Sequence, residues 1–379
     1  MALVLTEEQT LLQDSARDFV ANRWELDWLR TARDATTGSG HDEALWQQMV
    51  ELGWSAIPFD EANGGLGLGY AELGVVLEEL GRDLVVAPFL STVVLAGSAL
   101  QLAATPEQQH KLVPGICDGS KILAFAYQET PRHQPYAVTT SASADGTGFR
   151  LNGSKVLVLD GARADHLVVL VRTSGSSGER AGLTLCLVDG NAEGVNRQRD
   201  ILLDSRSAAH IRFENVQISE ADILGNIGEA ADIVDEVLAR GAIASSAEML
   251  GGSAESFERT VEYLKEREQF GAKIGSFQGL KHRAARWFCE VELSRSVVLE
   301  ALRAIDEADA KLQQIASVCK ARSSDCFRLS GQEAVQMHGG MGVTDEADLG
   351  LFFKRSRVSE LLLGDSGFHR NRYADLRGY

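Results

Sequence analysis

Glu266-Arg267-Glu268-Gln269-Phe270-Gly271-Ala272-Lys273-Ile274-Gly275-Ser276-Phe277-Gln278 joins two long runs of small and apolar residues at helical spacing, about 237–265 before it and 280–303 after it. A connection between two helices of a bundle needs only a few polar residues. This one carries a permanently charged guanidinium, an aromatic face and a side-chain amide. Such a set can hold a phosphate, stack on a planar ring and read its edge. The same residues also suit an ordinary turn stapled by a phenylalanine, and composition alone leaves both readings open.

The wording of the stretch adds to this. R-E-Q-F-G-x-x-I-G-x-F-Q over 267–278 closely resembles the signature turn of the acyl-CoA dehydrogenase family, FAD-dependent enzymes that desaturate acyl-CoA thioesters. In that family the turn belongs to one subunit and reaches into the flavin site of its neighbour. The resemblance implies Arg267 at the FAD pyrophosphate, Phe270 packed near the adenine and Gln278 bonded to the dinucleotide.

A second motif supports the first. Gln336-Met337-His338-Gly339-Gly340-Met341-Gly342 places adjacent glycines where a backbone or a ligand can approach closely. A helix C-cap with a terminal glycine explains the same residues structurally. The string resembles the family's Q-x-x-G-G-x-G segment, which meets FAD across the dimer interface, and this implies Gln336, Gly339 and Gly340 as further FAD contacts.

At 379 residues the chain exceeds one ordinary core, so about two or three sub-domains are expected. Residues 3 to about 120 read as helical. Thr6-Glu7-Glu8-Gln9 forms a capping-box start, and further helices are expected near 44–52 and 70–80. Between these, Ile57-Pro58-Phe59-Asp60-Glu61-Ala62-Asn63-Gly64-Gly65-Leu66-Gly67 is a tight loop, similar to the family's P-x-x-x-G-G-x-G loop at the acyl-binding end.

From about Ile122 short β-rich runs take over, at 138–142, 149–151, 155–159, 167–171 and 183–188. They are separated by turn clusters at 145–148, 152–153 and 174–178 and predict a small antiparallel barrel or sandwich. Leu151-Asn152-Gly153-Ser154-Lys155 resembles the L-N-G-x-K hairpin of the family's middle domain, and Phe213-Glu214-Asn215-Val216-Gln217-Ile218 its exit strand. From about Glu229 onward the pattern is helical again. The fold class is therefore α+β multidomain. The resemblance implies the acyl-CoA dehydrogenase fold, with an N-terminal helical domain (1–120), a middle β domain (121–226) and a C-terminal four-helix bundle (227–379).

Composition narrows the function classes. The net charge of −17 disfavours nucleic-acid binding, while a local arginine can still hold an anionic CoA or FAD. No apolar run reaches the roughly 18–20 residues that span a bilayer; the longest, 84–100, is broken by Pro88 and reads as buried helix. The opening Met1-Ala2-Leu3-Val4-Leu5-Thr6-Glu7-Glu8 lacks a basic flank, so a cytoplasmic location is expected. The five cysteines show no pairing or metal-ligand spacing, and no metal site is expected.

Departures from the family's pattern matter as much. Where T-E-P-x-x-G-S-D holds the flavin and CoA, this chain has Phe125-Ala126-Tyr127-Gln128-Glu129-Thr130-Pro131-Arg132-His133-Gln134-Pro135-Tyr136, which keeps Glu129 but loses Gly-Ser-Asp. Where W-x-T packs on and bonds the flavin, it has Leu157-Val158-Leu159. Proton abstraction at a thioester α-carbon needs a carboxylate. In many members that is the Glu of a Y-E-G-T-like turn; the position here is Leu363, in Leu362-Leu363-Gly364-Asp365-Ser366-Gly367. The alternative base position falls at Gly241 or Arg240, again without a carboxylate. Asp365 and Glu248 are the candidates for a relocated base, and for each a capping or solvated carboxylate is the readier reading. Asp365 and Ser366 are also expected near FAD, and Arg240 as a CoA contact. The small residues Gly241, Ala242, Ala244, Ser245 and Ser246 suit either a bulky acyl group or close helix packing.

Leu363-Gly364-Asp365-Ser366-Gly367-Phe368-His369-Arg370 resembles the L-F-G-D-x-x-x-H ending of a branch that includes small subunits of two-gene dehydrogenases, pimeloyl-CoA and steroid side-chain types among them. The resemblance implies an FAD-dependent acyl-CoA dehydrogenase subunit, the non-base partner in a dimer or tetramer with a related dehydrogenase subunit. An electron-transfer flavoprotein or another acceptor would take its electrons. A self-sufficient homomeric enzyme and a flavin-free structural or regulatory partner stand as alternatives, and an enzyme of this fold that removes another leaving group stays open.

Overall fold

The computed structural model describes residues 4–35, 40–146 and 148–379. The expected start at residue 3 and part of the 145–148 turn cluster lie outside them. In chain order the helices are α1 (Glu7–Arg23), α2 (Asp27–Asp34), α3 (Glu43–Glu51), α4 (Tyr70–Arg82), α5 (Gly97–Ala103) and α6 (Pro106–Cys117). The strands β1 (Leu123–Ala126), β2 (Ser141–Asp145), β3 (Gly148–Leu159), β4 (His166–Arg172), β5 (Leu183–Asp189), β6 (Val195–Ile201), β7 (Ser207–Ser219) and β8 (Ile223–Leu224) follow. Next come α7 (Ala231–Glu266), a short hairpin of β9 (Glu268–Gln269) and β10 (Ala272–Lys273), then α8 (Gln278–Asp306), α9 (Leu312–His338), α10 (Leu349–Leu361) and α11 (Ser366–Arg377). The chain divides into two compact units: 4–33, 70–85 and 242–379 in one, and 34–69 with 86–241 in the other, less the residues outside the description.

In the helical unit, Thr6 opens α1 as the sequence requires: Thr6 Oγ1 accepts from Gln9 N at 3.1 Å, and Gln9 Oε1 accepts from Thr6 N at 3.0 Å. Helices α4 and α7 cross backbone to backbone. A Cβ placed on Gly81 would lie 2.2 Å from Glu248 O, and one on Gly251 would lie 1.9 Å from Glu78 O. Ion pairs bind the same helices to their neighbours: Arg17 to Glu79 at 2.9 Å, Arg82 to Glu255 at 2.7 Å, and Arg295 to Glu78. Trp287, Phe327 and Phe352 are fully buried and fill the space between α7, α8, α9 and α10.

In the other unit, an eight-stranded sheet runs β6-β7-β3-β2-β4-β5-β8, with β1 added to β4. Leu151, Leu167, Val169, Val171, Ile211, Phe213 and Ile218 point into its core. The sheet differs from the antiparallel expectation, because β1 pairs with β4 in parallel over Leu123–Ala126. Asn152-Gly153 is not a hairpin turn either. Strand β3 continues through it, and the ladder to β7 shifts register between Leu151 and Gly153. Gly153 takes φ +145 there, and its missing side chain leaves room for Thr140, whose Cα lies 2.6 Å from the would-be Cβ. A bulge of this kind bends a strand without ending it. The 84–100 stretch is buried as expected, but Phe89–Ala96 winds as a π-helix before α5. Among the described residues no helix is long and apolar enough to cross a membrane, and no cluster of three or more ligating side chains is placed to hold a metal ion.

Candidate functional site

Arg267 N donates to Tyr263 O at 2.9 Å, continuing α7 by one bond, and the chain then reverses. Ala272 pairs with Gln269 and Lys273 with Glu268, so Phe270 and Gly271 form the tip. Both have positive φ, +55 and +74, which is the two-residue hairpin geometry that suits Asn-Gly or Asp-Gly. A phenylalanine there bears about 1 kcal/mol of backbone strain. Its ring nevertheless stands 93% exposed, edge-on to Phe277 at 6.3 Å. Arg267 is exposed, and among the described residues no carboxylate pairs with its guanidinium. Gln278 is exposed at the first position of α8.

The second motif comes to the same end of the helical unit. His338, the last residue of α9, stacks on Tyr263 at 4.0 Å, and its Nδ1–H donates to Ala334 O at 2.9 Å. Burial lowers its basicity, so this imidazole is a structural tie. Gly339 turns the chain at φ +60, and a Cβ on Gly339 or Gly340 would meet only open space. Gln336 is exposed, with Met341 and Val343 beside it in sequence equally open. An unpaired cation, an exposed ring, two free amides and an open glycine backbone fit an adenine dinucleotide. Arg267 would meet its phosphates, Phe270 its ring, and Gln278, Gln336, Gly339 and Gly340 its polar edges.

The turn after α10 is built differently. Leu363 is 2% exposed at φ +60 and Gly364 follows at φ +99. Asp365 Oδ1 accepts Phe368 N at 2.7 Å as the N-cap of α11, and Ser366 Oγ accepts from Arg370 Nη1 at 3.3 Å. His369 Nε2–H donates to Leu363 O at 2.9 Å, which leaves Nδ1 bare in a buried setting. Glu248 sits mid-α7 at the close crossing with Gly81.

In the unit containing the sheet, Glu129 accepts from Lys155 Nζ at 2.7 Å, Thr139 Oγ1 at 2.6 Å, Thr139 N at 2.8 Å and Thr140 N at 3.0 Å. Burial alone would raise this carboxyl; Lys155 and the threonine donors outweigh it and hold it at about 2. Burial likewise draws Lys155 down to about 8 against the pull of Glu129. Gln128 Nε2 donates to Thr130 O, and Tyr127 OH pairs with His133 Nδ1 at 3.0 Å. Glu129, Gln128 and Tyr127 are thus engaged within this unit. Leu157, at φ +52, exposes an apolar side chain, and Leu159 is buried; neither offers a hydroxyl. Arg240 pairs with Glu236 at 2.5 Å along α7.

Sequence reasoning missed Lys320, which is fully buried and holds the 362–364 turn. A lone lysine within Ile315-Ala316-Ser317-Val318-Cys319-Lys320-Ala321 was the available signal.

Two buried histidines set a pH response. Burial pushes His41 down to about 4, aided by Arg163, and His369 down to about 3, aided by Lys320. Both sit below the unfolded value of about 6.5, so their neutral forms support folding above that pH and the support is lost as pH falls through their folded values. Between pH 7 and 5 each is expected to cost on the order of 2 kcal/mol. Urea midpoints for wild type and His369→Gln should show a shallower acid slope in the variant; equal slopes would exclude His369 as a contributor.

Residues 6–120, 129–216 and 231–376 match the N-terminal, middle and C-terminal domains of acyl-CoA dehydrogenases, respectively. The short/branched chain specific acyl-CoA dehydrogenase of Bos taurus mitochondria is 27% identical, over 97% of this chain and 85% of its own length. Among solved structures, a variant of the Tcur3481-Tcur3483 steroid ACAD superposes with a TM-score of 0.87 at 31% identity, covering 98% of both chains. Butyryl-CoA dehydrogenase from Megasphaera elsdenii shares the fold, with a TM-score of 0.91 at 23% identity and full coverage of both chains. The chain belongs to the acyl-CoA dehydrogenase family. It is a flavoprotein oxidoreductase of that class, and its cofactor is FAD.

Proposed function

We propose that this chain is the non-base subunit of a heteromeric acyl-CoA dehydrogenase, a cytoplasmic enzyme catalysing α,β-desaturation of an acyl-CoA. The observation that carries the reading is the 362–366 turn: Leu363 is apolar and buried, and Asp365 spends Oδ1 on the Phe368 amide. The chemistry FAD supplies in this family is acceptance of hydride from the acyl β-carbon. Arg267 binds and orients through a charge-assisted contact, and Phe270 offers a stacking face. Gln278 and Gln336 fix the ligand's edge beside Gly339 and Gly340. Asp365 and Ser366 shape the α11 end, and Arg240 is the candidate CoA contact. A carboxylate from the partner subunit takes the α-proton. The three-part division at 1–120, 121–226 and 227–379 goes with this reading.

Support comes from the contrast between the two halves of the machinery: Arg267, Phe270, Gln278, Gln336, Gly339 and Gly340 are exposed, whereas Glu129, Gln128 and the Leu157–Leu159 positions are closed or apolar. The likeness to Tcur3481-Tcur3483, named as a steroid ACAD, supports a bulky acyl group as substrate here. Purifying the chain alone and with the product of a neighbouring related gene tests this. Less than one FAD per chain alone, and about one flavin per unlike pair in native mass spectrometry, is expected. Stoichiometric FAD and acyl-CoA turnover by the chain alone would favour the homomeric alternative with Asp365 or Glu248 as base. Absence of flavin in both preparations would favour the flavin-free partner.

A further inference from the structure

The buried Lys320 ammonium is surrounded by four oxygens. Nζ lies 2.9 Å from Ser359 O, 3.0 Å from Gly364 O, 3.1 Å from Glu360 O and 3.1 Å from Ser324 Oγ. An ammonium has three N–H groups, so no proton is left over for any other acceptor. The Ser359 and Glu360 carbonyls belong to the last turn of α10, where an α-helix has no donors of its own. A side chain from α9 therefore supplies the cap that α10 lacks, and it reaches the turn beyond at Gly364.

That turn needs holding. Leu363 and Gly364 are both left-handed, and a leucine relaxes out of that region unless its surroundings fix it. The Leu363 carbonyl is taken by His369 from α11 and the next carbonyl by Lys320 from α9, while Asp365 caps α11. Glu360 and Asp365 supply the opposing charge near the ammonium, and Cys319 and His369 are the other titratable groups beside it. Nothing in Ser324 or the carbonyls requires a cation; a bound water would serve a purely structural cap. Burial draws this amine down to about 7 against the pull of Glu360 and Asp365, and in its protonated form it fixes three backbone oxygens from one point.

We propose that Lys320 is a positioning residue: through its ammonium it fixes the 362–365 turn, and with it the Leu363 side chain and the Asp365–Ser366 backbone, for the flavin and acyl thioester. What the turn faces rests on the functional reading above; the clamp itself rests on the contacts.

Hydrogen exchange on the full-length chain and FAD titration by flavin fluorescence test it together. In the wild type, amides 362–368 should exchange as slowly as those of α9. Lys320→Met should speed exchange at 362–368 by about tenfold or more, the loss of one charge-assisted bond, with α9 amides unchanged. The same variant should weaken FAD binding by about tenfold, measured with the partner subunit present if the chain alone binds none. A wild-type turn that exchanges like an open loop overturns the clamp, and this arm needs no variant to fold. Faster turn exchange with unaltered FAD affinity overturns the positioning role and leaves a structural cap. If no added FAD binds with or without a related subunit, the functional reading fails while the exchange result still decides the clamp.

Discussion

Gly251→Val is expected to yield no cooperatively folding protein. The Cβ it introduces would sit 1.9 Å from Glu78 O and 2.8 Å from Arg82 N, both backbone atoms of α4 that cannot swing aside. Overpacking a core ordinarily costs about 1–3 kcal/mol because neighbouring side chains repack; a clash with a facing backbone forces two helices apart and exceeds about 4 kcal/mol. That is comparable to the whole stability of many domains. Separation would also break the Arg82–Glu255 ion pair between the same two helices. Gly279→Ala is the control, since a Cβ there meets nothing within 4 Å. It should melt within a few degrees of wild type, or slightly higher because alanine favours helix. A Gly251→Val protein with a near-normal melting transition would show that α4 and α7 do not approach as closely as described.

What the sequence made legible follows from the range of the interactions. The capping box at Thr6, the long α7 and α8 patterns and the glycine loop near 64–67 are encoded within a few residues, and each appears where expected. The hairpin at 268–273 is local in the same way, which is why its glycine and its exposed aromatic could be singled out. Strand β6, Val195–Ile201, has an ordinary polar alternation with three charged residues and was missed, because only its pairing with β7 makes it a strand. The Asn152-Gly153 bulge was read as a turn for the same reason: a turn and a bulge use the same dipeptide, and the continuing ladder to β7 decides between them. Buried charges were hidden most completely. Lys155 finds Glu129 26 residues away, and Lys320 finds Gly364 44 residues away. No periodicity records such a partner.

Arg267→Ala is expected to have the opposite profile to Gly251→Val: unchanged folding and lost cofactor. The guanidinium is exposed and has no carboxylate partner among the described residues, so removing it should alter stability by no more than about 0.5 kcal/mol. If it meets the pyrophosphate of FAD, its removal forfeits a charge-assisted contact worth about 1.5–3 kcal/mol, or about ten- to a hundredfold in affinity. The neighbouring Phe270 sharpens the distinction. Its left-handed backbone is strained, and its ring stands 93% exposed, meeting the chain edge-on at Phe277. A residue that bears backbone strain where it stands and returns little burial within its own chain points to a contact outside the chain. Phe270→Asn should therefore raise the melting temperature slightly while weakening FAD retention in the assembled enzyme. The measurement is flavin content against melting temperature for both variants, produced together with the partner subunit. Cofactor lost only in proportion to folded protein would make the turn a structural connection, and the reach across the interface would have to be abandoned. Cofactor lost from fully folded, assembled protein would place Arg267 on a flavin whose remaining contacts come from the other subunit.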